Sequence, residues 1–107
     1  MRLLHQLRQD GTTVPNIISL VERQLRLLAL GRELIDQGVR QQEVGVRLGL
    51  KPGFVTQKTY EQARRHSWKA INWSYQRLLE ADLSIKQGRM TEDLALEVLV
   101  GELAGRR

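Results

Sequence analysis

Residues 16–37 read NIISLVERQLRLLALGRELIDQ, and this stretch decides the fold class. At about 100° per residue, its apolar side chains cover more than half of the helix circumference and leave one polar stripe. The stripe consists of Ser19, Glu22, Arg23, Arg26 and Glu33. A helix that is apolar over so much of its surface is normally surrounded by other helices. We therefore expect this segment to be a central helix, with Gly38 as its C-cap.

The rest of the chain predicts five further helices, because no stretch alternates apolar and polar residues for long enough to form a strand. Glycine and proline residues separate these helices. The predicted boundaries are Asp10–Gly11, Pro15, Gly38, Gly49, Pro52 or Gly53, about His66, and Gly88. Ser67 and Thr91 can cap the fifth and sixth helices through their hydroxyl groups. Short connections and the absence of a repeat predict an all-α fold, a compact bundle of five to six helices in one domain.

Side-chain patterns on the last two helices predict what is buried there. On the sixth helix we expect Leu94, Val98 and Leu99 to point inward. Asp82 lies on the apolar side of the fifth helix, one turn from Leu78. A carboxylate in that position needs a partner, so we expect Asp82 to be buried and paired with an arginine of the central helix.

Three residues interrupt the apolar arc of the central helix: Gln24, Gly31 and Arg32. A glycine in such a position allows another helix to approach closely. The two polar side chains need hydrogen-bond partners, either within the chain or on a neighbouring chain. These residues are therefore candidates for a contact with another protein.

Basic residues are concentrated in the middle of the chain. The chain has 17 Lys and Arg against 12 Asp and Glu, a net charge of +5, and residues 40–69 carry all of this excess. Clustered basic charge is what a phosphate-binding surface needs, although an ordinary solvated helix surface gives the same pattern. A weak nucleic-acid surface would use Arg47, Lys51, Lys58, Arg64 and Arg65.

Residues 42–50, followed by Val55, have the main features of a helix-turn-helix. Gly45 lies where two helices must approach, Gly49 makes the turn, and Val55 would lock the second helix. The second helix would present polar residues able to reach base edges: Thr56, Gln57, Lys58, Gln62 and Arg65. Two short helices joined by a glycine turn also occur as purely structural elements of helical bundles. Both interpretations stay open on the residues alone.

The residue inventory offers little for catalysis. The chain has no cysteine, which excludes a disulfide, a thiolate zinc site and a cysteine nucleophile, and which suits a cytoplasmic location. His5 and His66 are the two histidines, and neither belongs to a metal-ligand spacing. The longest apolar run, residues 27–30, is too short to cross a membrane. We therefore expect no catalytic residue, no metal, no cofactor and no membrane partner.

Four segments of the chain carry a family resemblance. They are VERQLRLL at 21–28, EVGVRLGLKP at 43–52, QARRHS at 62–67 and LLEADLSIKQG at 78–88. In this order they resemble the C-terminal domain of the bacterial DNA polymerase III delta subunit, which is part of the clamp loader. The resemblance covers about residues 1–104, and the first and last segments are its more specific parts. One departure is Gly45, which stands where the family usually has alanine.

The resemblance implies a helical collar module, of the oligomerisation type that follows an ATPase-like module, with no active site of its own. Such a collar packs beside the equivalent domains of the other clamp-loader subunits, here through Arg23, Gln24, Arg26 and Arg32. Residues 1–107 would then be a single collar domain and a C-terminal fragment of a longer subunit. DNA and the sliding clamp would be partners of the whole complex, which belongs to a DNA-directed DNA polymerase holoenzyme. The alternative from the residues is a free-standing helix-turn-helix DNA-binding transcriptional regulator.

Overall fold

The computed structural model describes the backbone of residues 2–105 and the side chains of residues 6–105, so the His5 side chain lies outside the described part. The helices are α1 (Arg2–Gln9), α2 (Val14–Asp36), α3 (Gln41–Arg47), α4 (Phe54–Arg65), α5 (Trp68–Lys86) and α6 (Glu92–Ala104). No strand occurs within residues 2–105. The prediction of an all-α fold with six helices is confirmed.

The predicted hydroxyl caps begin the last two helices. The Ser67 hydroxyl accepts a hydrogen bond from the Ala70 amide at 3.1 Å. The Thr91 hydroxyl accepts one from the Leu94 amide at 3.2 Å. Each cap satisfies an amide that has no partner inside its own helix, so these two helix starts are determined locally by sequence.

The ends of α2 also follow local rules. Gly38 terminates the helix with a φ of +81°, a left-handed conformation that glycine adopts without a steric penalty. The helix begins at Val14, two residues before the predicted start at Asn16. Pro15 therefore lies in the first helical turn, where a missing amide hydrogen costs nothing.

Contacts between the helices divide the chain into two units. The first comprises the described residues up to Glu22 and from Trp73 onward, and the second is Arg23–Asn72. The first unit therefore contains α1, α6 and parts of α2 and α5. The second contains α3, α4 and the remaining parts of α2 and α5.

In the first unit, α6 packs through Ala95, Leu96 and Leu99, which are buried. Leu94 and Val98 are exposed, so the prediction that they point inward is wrong, whereas the prediction for Leu99 is confirmed. The sequence of α6 is apolar on nearly every side, and its periodicity therefore does not single out one face. Buried in the same unit are Val14, Ile17, Val21, Leu78, Ala81 and Ser84.

Ion pairs of the first unit lie near its surface. Asp82 Oδ2 is 2.8 Å from Lys86 Nζ, one turn later in α5, and the Asp82 side chain is 34% exposed. The prediction of a buried Asp82 paired with an arginine of α2 is wrong, because a lysine four residues away reaches the carboxylate locally. A second pair joins α1 to α6, with Arg8 Nη2 at 2.6 Å from Asp93 Oδ1.

In the second unit, α3 and α4 meet at Gly45. A Cβ atom added to Gly45 would lie 2.5 Å from both Oγ1 and Cγ2 of Thr56, so the predicted close approach is confirmed. Thr56 is buried, and its hydroxyl donates to the Lys51 carbonyl at 2.7 Å. Val55, which was expected to lock the second helix, is exposed. Thr56 takes this role, because its methyl and hydroxyl groups fill the space that the glycine leaves.

The inward face of α4 consists of small residues. Thr56, Thr59 and Ala63 are buried and share one side of the helix at spacings of three and four residues. A Cβ atom added to Gly31 of α2 would lie 3.1 Å from the Ala63 Cβ, so a second glycine also lies against this face. α4 therefore packs closely against both α2 and α3. Buried in the same unit are Leu25, Leu28, Val44 and Ile71.

We predict that Gly45→Ala destabilises the fold, although alanine favours a helix over glycine by about 1 kcal/mol. The added methyl group would meet the buried Thr56 side chain, and overpacking of this kind costs about 1–3 kcal/mol. The net loss in the free energy of unfolding, measured by urea denaturation, should be about 1 kcal/mol.

Gly101→Ala in α6 is the matched control. Apart from its chain neighbours and the adjacent backbone of α6, no atom of the described residues lies within 4 Å of a Cβ added there, so the same substitution should be neutral or stabilising by up to about 1 kcal/mol. If the two variants changed the free energy of unfolding equally, the close contact between Gly45 and Thr56 would have no effect on stability.

Candidate functional site

Four residues of α2 in the second unit form an exposed face. Arg23, Arg26, Leu27 and Leu30 recur at spacings of three, four and seven residues and therefore share one side of the helix. Together with the three residues that follow α3, Leu48, Gly49 and Leu50, they line an open cavity of about 430 Å³. Both arginines are exposed, and so is Leu30. The structure thus brings together two of the four predicted contact residues around an apolar depression.

The other two predicted contact residues, Gln24 and Arg32, point from α2 to α4. Gln24 Nε2 donates to Gln62 Oε1 at 3.3 Å. Arg32 Nη1 donates to the Arg64 carbonyl at 2.9 Å. The polar partners that the sequence requires for both side chains are therefore supplied within the chain. Their role in contacts with another subunit stays a prediction.

Arg32 is also the centre of a hydrogen-bonded cluster at the end of α2. Its Nη2 lies 2.9 Å from Asp36 Oδ1, and the other oxygen of that carboxylate accepts a bond from Trp68 Nε1 at 2.9 Å. The cluster links α2 to the end of α4 and the start of α5. The Arg32 Nε is buried without a hydrogen-bond partner, which reduces what the cluster contributes to stability.

The five basic residues of the predicted nucleic-acid surface differ in whether a carboxylate lies next to them. Arg47 Nε lies 3.3 Å from Glu43 Oε1, and Arg64 Nη2 lies 2.9 Å from Glu61 Oε2. These two charges are therefore largely compensated. The other three, Lys51, Lys58 and Arg65, are exposed and have no carboxylate partner within the described side chains.

The residues predicted to read base edges are not all available on α4. Thr56 is buried, and its hydroxyl is used by the Lys51 carbonyl. Gln62 is half-buried and bonded to Gln24. The prediction that α4 presents Thr56 to DNA is wrong, since this side chain packs against Gly45 of α3 and is buried. Gln57, Lys58 and Arg65 are exposed as expected.

Sequence analysis did not single out the most exposed apolar side chains of the second unit, Val46 and Phe54. Val46 follows two residues after the buried Val44, and Phe54 is the first residue of α4. A hydrophobic residue just outside the inward stripe of a short helix is the signal that could have identified them.

The comparisons with known proteins identify a family. The family described as DNA polymerase III delta subunit, C-terminal domain, matches residues 1–103 of the 107-residue chain. The chain belongs to this family. Neither a curated protein nor a solved structure matches it.

Membership of the delta C-terminal family places the chain in a clamp-loader subunit that acts in DNA replication and interacts with other subunits. Within residues 6–105 no cluster of three or more histidine or acidic side chains could hold a metal ion. None of the described helices of this delta-family chain is long and apolar enough to cross a membrane. The geometry of its second unit offers contact surfaces.

We predict that Arg32→Met lowers the free energy of unfolding by about 1–2 kcal/mol, because the Arg64 carbonyl and the Asp36 carboxylate each lose a donor. Arg23→Met is the matched control, since it makes the same exchange on the same helix at an exposed residue. That variant should change the free energy by less than about 0.5 kcal/mol. Urea denaturation measures both. Equal losses would show that the Arg32 cluster does not stabilise the unit.

Proposed function

We propose that residues 1–107 act as the non-catalytic collar module of a clamp-loader delta subunit. The observation that carries this proposal is the family match over residues 1–103. In this role the domain holds one subunit in the loader ring, so that partner ATPases can be coupled to loading of the sliding clamp. It needs no cofactor and works in the cytoplasm. DNA and the clamp are reached through the whole complex, whose parent holoenzyme is a DNA-directed DNA polymerase.

The lateral contact of this collar is the exposed face of α2. Arg23 and Arg26 border a cavity that also includes Leu27 and Leu30. An apolar depression with arginines at its edge has the composition of a protein interface, where apolar side chains are buried at the centre and charged ones lie at the rim. Leu30 is 44% exposed in the single chain, so a partner that covers the cavity would bury more of it.

Gln24 and Arg32 belong to the same proposed contact in a different way. Gln24 is exposed and can touch a partner while it stays bonded to Gln62. Arg32 holds the end of α4 through the Arg64 carbonyl and so keeps the neighbouring surface in place. Truncating Arg32 would therefore affect stability and assembly together, and this residue is a poor probe of the contact alone.

The contact is tested with Leu30→Ser and Arg23→Ala in the delta subunit that carries this chain. Leu30→Ser should weaken assembly of the loader by about tenfold, because an apolar anchor is lost from the interface, and Arg23→Ala should weaken it less, because a charge at the rim contributes less. The measurement is light scattering after size exclusion, over a range of concentrations of the reconstituted subunits. Thermal unfolding of each variant shows that the fold is intact.

Leu20→Ser provides the matched control. Leu20 lies on the same helix, is 42% exposed and does not line the cavity. We expect this variant to assemble like the wild type. If Leu30→Ser and Arg23→Ala also assembled like the wild type, the exposed face of α2 would not be the lateral contact.

The second candidate function is that of a free-standing helix-turn-helix regulator. The observation in its favour is that Lys51, Lys58 and Arg65 are exposed on or next to α4 without carboxylate partners. The buried Thr56 argues against it, since α4 loses one of its candidate base-reading side chains.

A predicted nucleic-acid surface with three uncompensated cations should bind duplex DNA weakly and without sequence preference. We predict a dissociation constant of about 10⁻⁶ M or weaker at physiological salt, and a plot of log affinity against log salt with a slope no steeper than about −3. Fluorescence anisotropy with several 20-base-pair duplexes measures both quantities. A sequence-selective complex with an affinity of about 10⁻⁸ M would favour the regulator.

A further inference from the structure

The α3–α4 pair has an open cleft that shares one lining residue, Leu50, with the cavity of the proposed collar contact. Its volume is about 540 Å³, within the range of pockets that hold a ligand or a bulky side chain. The lining includes Val46, Leu50, Pro52 and Phe54 on the apolar side and Gln42 and Gln57 on the polar side. Apolar surface from both helices and from the turn between them therefore converges on one depression.

The two principal apolar residues of this cleft are not needed for the core. Phe54 is 75% exposed and Val46 is 71% exposed. The buried residues of the two helices are Val44 and Gly45 in α3 and Thr56, Thr59 and Ala63 in α4, so burial in the core does not explain why Val46 and Phe54 are large and apolar. A concave site with an exposed aromatic side chain at its edge is typical of a surface that a partner covers.

The charge around the cleft is positive and uncompensated. Lys51 belongs to the turn, and Lys58 Nζ lies 6.0 Å from the centroid of the Phe54 ring. Neither lysine has a carboxylate partner within the described side chains. Between residues 40 and 65 the acidic side chains are Glu43 and Glu61, and they are paired with Arg47 and Arg64. A partner that enters the cleft therefore gains from carrying negative charge next to its apolar group.

We propose that this cleft binds an acidic peptide segment of another protein that carries one bulky apolar side chain. The apolar side chain packs against Phe54 and Val46, while carboxylates on either side of it face Lys51 and Lys58. The amide groups of Gln42 and Gln57 can bond to the peptide backbone at the edge. Such a peptide would therefore be complementary to the cleft in both shape and charge.

A peptide suits the cleft better than a nucleic acid does. A DNA backbone would pair with the two lysines but would leave Phe54 and Val46 against hydrated phosphates. The apolar surface of these two residues would then stay in contact with water, and binding would gain no hydrophobic stabilisation from it. Base edges would lose two of the candidate hydrogen-bonding side chains of α4, because Thr56 is buried and Gln62 is bonded to Gln24. An acidic peptide with an apolar anchor matches both halves of the surface.

The proposal is tested separately from the collar contact through Phe54 and Val46, which do not line the α2 cavity, whereas Leu50 lines both sites. It is tested by selecting binders from a random dodecapeptide library on the immobilised full chain. Selected peptides should be enriched in Asp and Glu around one aromatic or branched apolar residue. Binding of the enriched peptides is then measured by fluorescence anisotropy for the wild type and for variants.

Phe54→Ser and Lys58→Glu should each weaken peptide binding by about tenfold or more. The controls are Leu79→Ser, which also replaces a large exposed apolar residue by serine, and Lys69→Glu, which makes the same charge exchange; neither residue lines the cleft. We expect both controls to bind like the wild type. Phe54 is so exposed that its replacement should leave thermal unfolding unchanged, and Lys58→Glu tests the charge independently. Assembly of the loader should be unaffected by all four variants.

Three results would overturn the proposal. The first is a selection without enrichment, or enriched peptides that bind Phe54→Ser as tightly as the wild type. The second is displacement of the peptide by a 20-base-pair duplex whose own binding depends on Phe54, which would assign the cleft to nucleic acid. The third is a concentration-dependent dimer that Phe54→Ser abolishes, which would assign it to a second copy of the chain.

Discussion

The second unit depends on two glycines that let α4 approach its neighbours. Gly45 leaves room for Thr56, and Gly31 leaves room for Ala63. Both partners lie on one side of α4 with Thr59, so the helix meets α2 and α3 through a face that has no large side chain. Helices with small residues at their contact come close together, and many weak dispersion contacts then replace a few large buried groups.

This close packing decides which residues of the unit remain outside. Because the inward face of α4 has no space for a large side chain, Phe54 lies outside the core and is available to a partner. On α2 the side turned to α4 carries Gly31 and Arg32, while the opposite side leaves Arg23 and Leu30 exposed. The packing of the core thus leaves two candidate surfaces exposed, the face of α2 and the α3–α4 cleft. The two surfaces differ in composition. One combines arginines with leucines, and the other combines an aromatic ring with lysines.

Sequence reasoning succeeded where a feature depends on neighbouring residues in the chain. The caps at Ser67 and Thr91 need only a hydroxyl and an amide three residues later, and both are present in the structure. Sequence reasoning did not predict burial correctly where tertiary packing decides which of several similar residues is buried. In α6, Leu94 and Leu96 are the same residue type, and only the second is buried.

In the candidate site, too, some features follow from the sequence and others depend on tertiary packing. The need of Gln24 and Arg32 for polar partners follows from their positions on an apolar arc, but the identity of those partners does not. Thr56 was expected to face DNA because a hydroxyl is a polar group. Its hydroxyl instead bonds to a carbonyl and its methyl group lies against Gly45, and neither contact can be inferred before the two helices are placed together.

The contact between Gly45 and Thr56 has a consequence for how relatives of this chain can diverge. The family resemblance implies that alanine is usual at the position of Gly45, and a methyl group there would occupy the space taken by the Thr56 side chain. A lineage with alanine at the first position therefore needs a smaller or shifted side chain at the second. The two positions should co-vary during evolution, and a glycine at one with a threonine at the other would mark a distinct branch of the family.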